Sequence, residues 1–326
     1  MKKQLREWNE MIKMKQRVIG LIGIVSRMAN WNADFTGLPK TTSDGNIFGS
    51  DKALKYSIKR LWELNGEKVL YIRSYKLGKG KEGEKLQPRD LQERYQQLFG
   101  ESVAKDSTIV LKRLFACVDV MNFGATFAVE GQNIGLTGAV QIGQGFNKYE
   151  ETNVEVQDIL SPFRNSNEKS LDKDATSIGK KIMVDEAHYI YPFTVSPNHY
   201  ESYIGLPGLD EFQGYTQEAY AAFKEGALLG ATALQTNSKS GSENAFSLFI
   251  VLKENALAYL PNLDPYVTVC KKEDKTMYDL SAIAPIVAGI QEQVEQIELY
   301  INPYAAEVLL ELDGLKRYNI ITRAAL

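Results

Sequence analysis

Lys52, Lys55 and Lys59 recur at spacings of three and four in the segment DKALKYSIKRLWEL (51–64), which on a helix puts three ammonium groups in one stripe. Leu54, Ile58, Leu61 and Trp62 fall on the opposite, apolar face. Lysines so spaced can follow a phosphate backbone without reading its sequence, although the same pattern also serves as an ordinary solvated face. A glycine-containing loop with Lys40 precedes the stripe, and Arg27 ends the strand before that loop. Over 134–144 the even positions are largely greasy while the odd ones read Gly135, Thr137, Ala139, Gln141 and Gly143, so another backbone can come close. Thr137, Gln141 and Gln144 offer neutral hydrogen-bonding groups there. The segment SIGKK (177–181) adds backbone amides, Lys180 and Lys181, with Ile182 and Met183 behind them as apolar wedges able to unstack a nucleic-acid strand. Taken alone, that segment is a basic turn.

Other chemistries find little support. The chain has two histidines, His188 and His199, and two cysteines, Cys117 and Cys270, too few for a four-ligand zinc site or a disulfide scaffold. No G-x-S-x-G elbow occurs, and the histidines, set among tyrosines, read as structural. GKGKEGEK (78–85) lacks the final Gly-Lys-Ser/Thr of a phosphate-binding loop, and GQGFNK (143–148) does not open a helix as a dinucleotide motif must. No catalytic residue, metal ligand or cofactor is assigned.

The net charge of −3 conceals an asymmetry: residues 1–100 carry 20 Lys and Arg against 11 Asp and Glu, and the other 226 carry 18 against 30. A basic region on an otherwise acidic chain suits a polyanion partner, and also self-association. The apolar run 18–25 is short, contains Gly20 and Gly23, and reads as a buried strand rather than a leader; nothing is long enough to span a membrane. Cysteine usage fits a cytoplasmic protein.

Positioning these groups requires an α+β fold in 326 residues. The pattern predicts an amphipathic helical arm over 1–15, a strand over 17–28, helix 51–64 capped by Ser50, a strand over 68–76 and a loop over 77–87. Pro88 opens a helix to about Phe99, and 106–116 forms another. A glycine-rich β segment covers 122–146, with one strand over 134–144. Residues 150–186 form a protruding hairpin or mobile loop with SIGKK near its tip. Strand 187–196, a helix from Gly214 to about Leu234, the flexible NSKSGSEN, strands 246–253 and 265–270, and a helix over 303–313 between Pro303 and Gly314 complete the chain.

Five segments in order carry a family resemblance: IGIVSRMANWNADFTGLP, GSDKALKYSIKRLW, DVMNFGATFA, GLTGAVQIGQG and SIGKKIMVDEAHYIYPFTVSP. The chain resembles the backbone subunit of Cascade, the type I CRISPR effector, closest to the I-B branch and within the RAMP superfamily. The resemblance covers roughly 17–270. It implies an RRM-like, ferredoxin-type core elaborated as one domain over 1–326. The core halves are 17–146 and 187–326, with a thumb-like insertion at 150–186 and a helical subdomain. Asn30, Trp31, Asn32, Ala33 and Asp34 stand where the family commonly has an Asn-Pro-Asn-Gly-Asp loop, which places Asn30 and Asn32 among the RNA-binding residues. Lys52, Lys55 and Lys59 match a basic helix facing the guide RNA, Thr137 and Gln141 match a Thr-Gly-x-Val-Gln strand, and Lys180 and Lys181 match the thumb.

By that resemblance, copies stack head to tail along one CRISPR RNA as a helical filament and present it to a complementary DNA strand. Further implied partners are the large subunit, the cap subunit and the processing endonuclease. Two other classes stay open. Filament subunits of type III complexes cut target RNA with an aspartate in the loop after the first strand, where Asp34 lies. A small-molecule enzyme with a pocket lined by the glycine-rich strands is the other.

Overall fold

The computed structural model describes residues 11–80, 83–164 and 175–326, and its first described segment is extended rather than helical. Lys13 bridges Thr216, and Met14 N donates to Tyr215 O at 2.9 Å. The arm expected over 1–15 is therefore corrected in its second part; positions 1–10 lie outside the described residues. Strand β1 (Val18–Ala29) has its first nine residues buried, as a continuous apolar run must when both faces of its sheet are covered. After the two-residue β2 (Phe48–Gly49), Ser50 caps α1 (Asp51–Leu64), its hydroxyl accepting from Ala53 N, and Leu54, Ile58, Leu61 and Trp62 are buried as the apolar face predicts.

The strand expected over 68–76 does not form before Tyr75, where β3 starts. Val69 and Leu70 are buried, but the Asp119 carboxylate accepts Leu70 N and Tyr71 N at 2.8 Å each, taking the donors a neighbouring strand would use. Much of the expected loop is instead a hairpin, β3 (Tyr75–Gly80) with β4 (Gly83–Pro88). Pro88 ends β4 rather than opening a helix; α2 (Leu91–Phe99) starts from an Asp90–Glu93 capping box. Next come α3 (Ser107–Phe115), α4 (Val118–Phe123), and the paired β5 (Gly124–Val129) and β6 (Gln132–Thr137). The single strand expected over 134–144 is broken. Gly138 lies against the backbone of residues 122–124, where an added Cβ would stand 2.2 Å from Gly124 N, and the chain leaves β6 for β7 (Val140–Ile142) and then β8 (Gly145–Asn147) in another sheet. Alternation holds on either side of the break but not through it: Leu136, Val140 and Ile142 are buried and Gly135, Thr137 and Gln141 exposed, whereas Ala139, expected on the open face, is fully buried beside Gly138.

Residues 150–186 supply a long hairpin. β9 (Val154–Arg164) pairs antiparallel with the outer part of β10 (Ala175–Val195), which then runs into the central sheet beside β1. Positions 165–174, between the two strands, lie outside the described residues. α5 (Gln217–Ala233) packs on α1, and β11 (Ser242–Leu252) covers the other edge of β1. The segment NSKSGSEN is a tight turn that leads directly into β11.

After β12 (Thr268–Lys272), β13 (Lys275–Asp279) and α6 (Ala284–Ala288), the expected helix 303–313 is overturned. The chain forms β14 (Val294–Ile301), β15 (Ala306–Leu309) and β16 (Leu315–Asn319). Asn302 and Pro303 do start a turn, with Ala306 N donating to Asn302 O at 3.0 Å, but AEVL also alternates and β15 pairs in parallel with β13. Ala306 and Val308 go inward and Glu307 and Leu309 outward, so tertiary pairing decides an ambiguous local pattern.

The main sheet runs β16-β14-β11-β1-β10-β8-β2, with β7 and β9 also on β10. One apolar cluster joins it to α1, α4 and α5; a second, containing Leu21, Phe246, Leu248 and Tyr278, joins its other face to the β12-β13-β15 sheet. Among the described residues no helix is long and apolar enough to cross a membrane.

Candidate nucleic-acid interface

Three elements meet where β1 ends. Asn30, 4% exposed, donates through Nδ2 to Gly37 O at 2.9 Å and to Ile182 O at 3.2 Å, tying the post-β1 loop to the stalk of the hairpin. Asn32 Oδ1 accepts Ser50 N at 2.8 Å, which fixes that loop against the start of α1. Gln144 reaches the same helix end: its Oε1 accepts Asp51 N and its Nε2 donates to Asp51 Oδ1, both at 3.3 Å. Trp31, fully buried, donates from Nε1 to Tyr191 OH at 2.6 Å. Asn30 and Asn32 therefore tie the loop to the hairpin and to the helix start, and Gln144 joins the same helix end through Asp51.

The lysine stripe is graded. Lys52 is exposed. Lys55 is half-buried, pairs with Asp51 at 3.1 Å and lies 5.4 Å over the Phe123 ring. Lys59 donates to Tyr71 O at 2.8 Å; burial lowers its ammonium pKa, against the opposing pull of Asp119. The stripe is equally accessible only on a helical wheel. In the fold its later part meets Tyr71 and, from α4, Phe123, which leaves Lys55 and Lys59 only partly exposed. Lys40 is half-buried in the loop, its backbone bonded to Asn32 and Phe48.

Arg27 is committed to Glu186, Nε to Oε1 at 2.9 Å. The same oxygen takes Lys271 Nζ at 2.7 Å and His188 Nε2 at 3.0 Å. Burial opposes ionisation of Glu186, but the His188 and Lys271 hydrogen bonds and the Arg27 charge bring its carboxyl down to about 2. His188 is buried, its pKa lowered by desolvation, and Nδ1 stands 2.6 Å from Tyr278 OH. His199 Nδ1 bonds Gly138 O at 2.9 Å.

On the hairpin, Lys180 faces Asp158 and Lys181 faces Gln157 across β9. Gly179–Met183 lies on the stalk, which corrects its expected position at a mobile tip. Met183 is 2% exposed and packed inward, so it is not a free wedge; Ile182 is half-buried and engaged by Asn30 through its carbonyl. Among the described side chains of the hairpin, Val154, Val156, Ile159 and Leu160 of β9 are exposed and apolar. Their signal was an apolar set inside a charged excursion.

Thr137 and Gln141 are exposed, Gln141 donating to Gly138 O at 2.9 Å, but they stand apart from this cluster. Gln141 pairs with Thr194, which pairs with Ile19 near the start of β1, whereas Arg27 pairs with Glu186 near its end. At roughly 3.3 Å per strand residue, this sets Gln141 and Arg27 on the order of 25 Å apart along the sheet. The structure thus separates Thr137 and Gln141 from the group at the end of β1.

Asp34 turns its own loop: Oδ1 accepts Thr36 Oγ1 at 2.7 Å, Thr36 N at 2.8 Å and Leu38 N at 3.1 Å. The Thr36 hydroxyl, foremost among these donors, lowers the carboxyl pKa. Among the described residues no group of three or more His, Cys, Asp and Glu stands where one ion could be held. The loop also exposes Phe35 and Leu38 fully or in part. One contributor was missed by sequence reasoning: Lys239, in NSKSGSEN, donates to Asn30 O at 2.7 Å and Trp31 O at 2.5 Å. Nothing local marks it, because its role exists only once the α5–β11 turn meets the end of β1.

Two solved structures align with this chain, and the first of them shares its fold. One, described as "CRISPR RNA-guided surveillance complex, pre-nicking", aligns over 93% of this chain and 96% of its own at 14% identity, with a TM-score of 0.56. Another, described as "CRISPR RNA-guided surveillance complex", aligns over 86% and 88% at 13% identity, with a TM-score of 0.46. No match was found among curated proteins. The sequence profile of the family described as CRISPR-associated protein Cas7 matches residues 16–284, most of the chain. With β1, its loop, α1 and the hairpin all inside that span, the chain belongs to the Cas7 family.

Proposed function

We propose that this chain is the guide-holding backbone subunit of a type I CRISPR surveillance complex, nearest the I-B branch. The observation that carries this reading is the meeting of the post-β1 loop, the start of α1 and the hairpin stalk through Asn30 and Asn32, in a chain of this family. Lys52, Lys180 and Lys181 face outward or partly so around that junction and would contact phosphates, while pairing of the guide with DNA supplies sequence choice. The hairpin acts as the thumb. The order β11-β1-β10-β8, with α1 and α5 in one apolar cluster, supports a ferredoxin-like, RRM-type core.

Copies of the chain then stack head to tail on one CRISPR RNA in the cytoplasm, joined by the large, cap and processing subunits, and the chain itself cuts nothing. Co-expression with a CRISPR transcript and the partner subunits tests this. Nuclease footprinting of the recovered complex is expected to give a regular repeat along the guide, and protection without a repeat contradicts the filament. Uptake of RNA that magnesium then cuts, in a manner lost in Asp34→Ala, would instead establish the type III reading.

A further inference from the structure

The turn between α5 and β11 is joined to the end of β1 more closely than a connecting turn requires. Arg27 N donates to Gly241 O and Asn30 N to Ser238 O, both at 2.8 Å. Gly241 has φ +101°, and an added Cβ there would stand 2.2 Å from Arg27 O, so only glycine permits the approach. Within the turn, Lys239 N and Ser240 N both donate to Thr236 O, and Ser242 N donates to Lys239 O. That frame aims the Lys239 side chain at two consecutive carbonyls, Asn30 O and Trp31 O, 5.9 Å over the Trp31 ring.

Two adjacent carbonyls turned to the same side repel one another, and the chain enters this stretch through Met28 at φ 46°, a left-handed conformation uncommon for a non-glycine residue. A half-buried ammonium to which no carboxylate among the described residues is bonded is costly unless carbonyl dipoles receive it, and here two do. The two residues it holds are themselves tied to neighbouring elements, Asn30 to Gly37 and to the hairpin at Ile182 and Trp31 to Tyr191 in the core, and the next residue, Asn32, bonds the start of α1.

We propose that Lys239 is the positioning residue of this interface, fixing the post-β1 loop so that loop and hairpin stalk hold one geometry toward nucleic acid. It does not touch the ligand. The inference rests on the guide-holding reading for its functional half, while its mechanical half stands on the RNA-free chain alone. Burial lowers the ammonium to about 8, in keeping with a side chain spent on internal bonds rather than on solvent.

The test uses the full chain as wild type, Lys239→Met, which keeps the length and loses the donors, and Lys239→Arg, which keeps charge and donors. Hydrogen exchange on the RNA-free proteins is expected to quicken about tenfold at amides 30–38 in Lys239→Met, with β1 and β11 unchanged. Affinity for a labelled single-stranded RNA should fall about tenfold in the same variant, with recovery in Lys239→Arg at an unaltered thermal midpoint. Unchanged exchange over 30–38 overturns the latch. Looser exchange with wild-type RNA affinity overturns its positioning role, and so does an equal loss in both variants that follows the thermal midpoint. If wild type itself binds no RNA, alone or with its partners, the guide-holding reading falls, and exchange still decides the latch.

Discussion

The two ends of α1 carry the same residue type in the same stripe and do different work. At the first turn Lys52 is exposed, beside a junction built from Asn32, Ser50, Asp51 and Gln144. Near the other end Lys59 gives its ammonium to Tyr71 O and lies in the field of Asp119, whose carboxylate holds Leu70 N and Tyr71 N. One end is open to solvent, where the proposed reading puts the guide; the other replaces a missing strand with a lysine–carbonyl–carboxylate assembly. A basic stripe is therefore a statement about spacing, and the layer packed above it decides how many of its charges remain for binding.

The strongest break in this comparison is Lys59→Glu. It removes the bond to Tyr71 and sets a second carboxylate near buried Asp119, and urea unfolding should show a loss of about 3–5 kcal/mol. Reversing all three lysines would consequently destabilise the chain as well as weaken guide binding, so the triple variant cannot separate the two effects. A wild-type unfolding midpoint in Lys59→Glu would show that the two helix ends are equivalent.

Met183→Ala comes next, at about 2–4 kcal/mol, because a 2%-exposed side chain leaves a cavity between stalk and body. Neutral stability together with weakened RNA contacts would restore its reading as a wedge. The Glu186 cluster predicts a smaller, pH-dependent effect. Its folded carboxyl lies near 2 against an ordinary 4.5, so its stabilisation is present above pH 4.5 and is lost as the pH falls toward 2. Glu186→Gln should flatten the acid limb of an unfolding profile over that window, and an unchanged limb would remove Glu186 as its source.

The smallest effect on stability is expected for Lys52→Glu, within about 0.5 kcal/mol. Its RNA affinity should nonetheless fall, and the slope of log affinity against log salt should lessen by about 1. Equal salt slopes for wild type and variant would mean that the exposed end of α1 meets no phosphate.

Legibility in the sequence followed the range of the interactions. α1 was readable to its boundaries because Ser50, Asp51 and the apolar face are local signals. β1, α3, α5 and β11 were likewise found from their apolar patterning. The strand proposed at 68–76 and the helix proposed at 303–313 failed because their fates are set by Asp119 and by pairing with β13, each distant in sequence. At the interface, residue types were legible but their availability was not: Arg27, Lys59 and Met183 spend their side chains inside the protein. Lys239 was invisible for the converse reason, since a lysine in a serine–glycine turn looks solvated until β1 is laid beside it.

The central claim is that this chain grips a guide RNA and assembles along it. Light scattering on a size-exclusion peak of the protein co-expressed with CRISPR RNA and its partner subunits, with absorbance at 260 and 280 nm recorded before and after ribonuclease, tests it most directly. The account predicts a large, nucleic-acid-rich species that shrinks when the RNA is removed. A monomer free of nucleic acid, in the presence of RNA and partners, would contradict it.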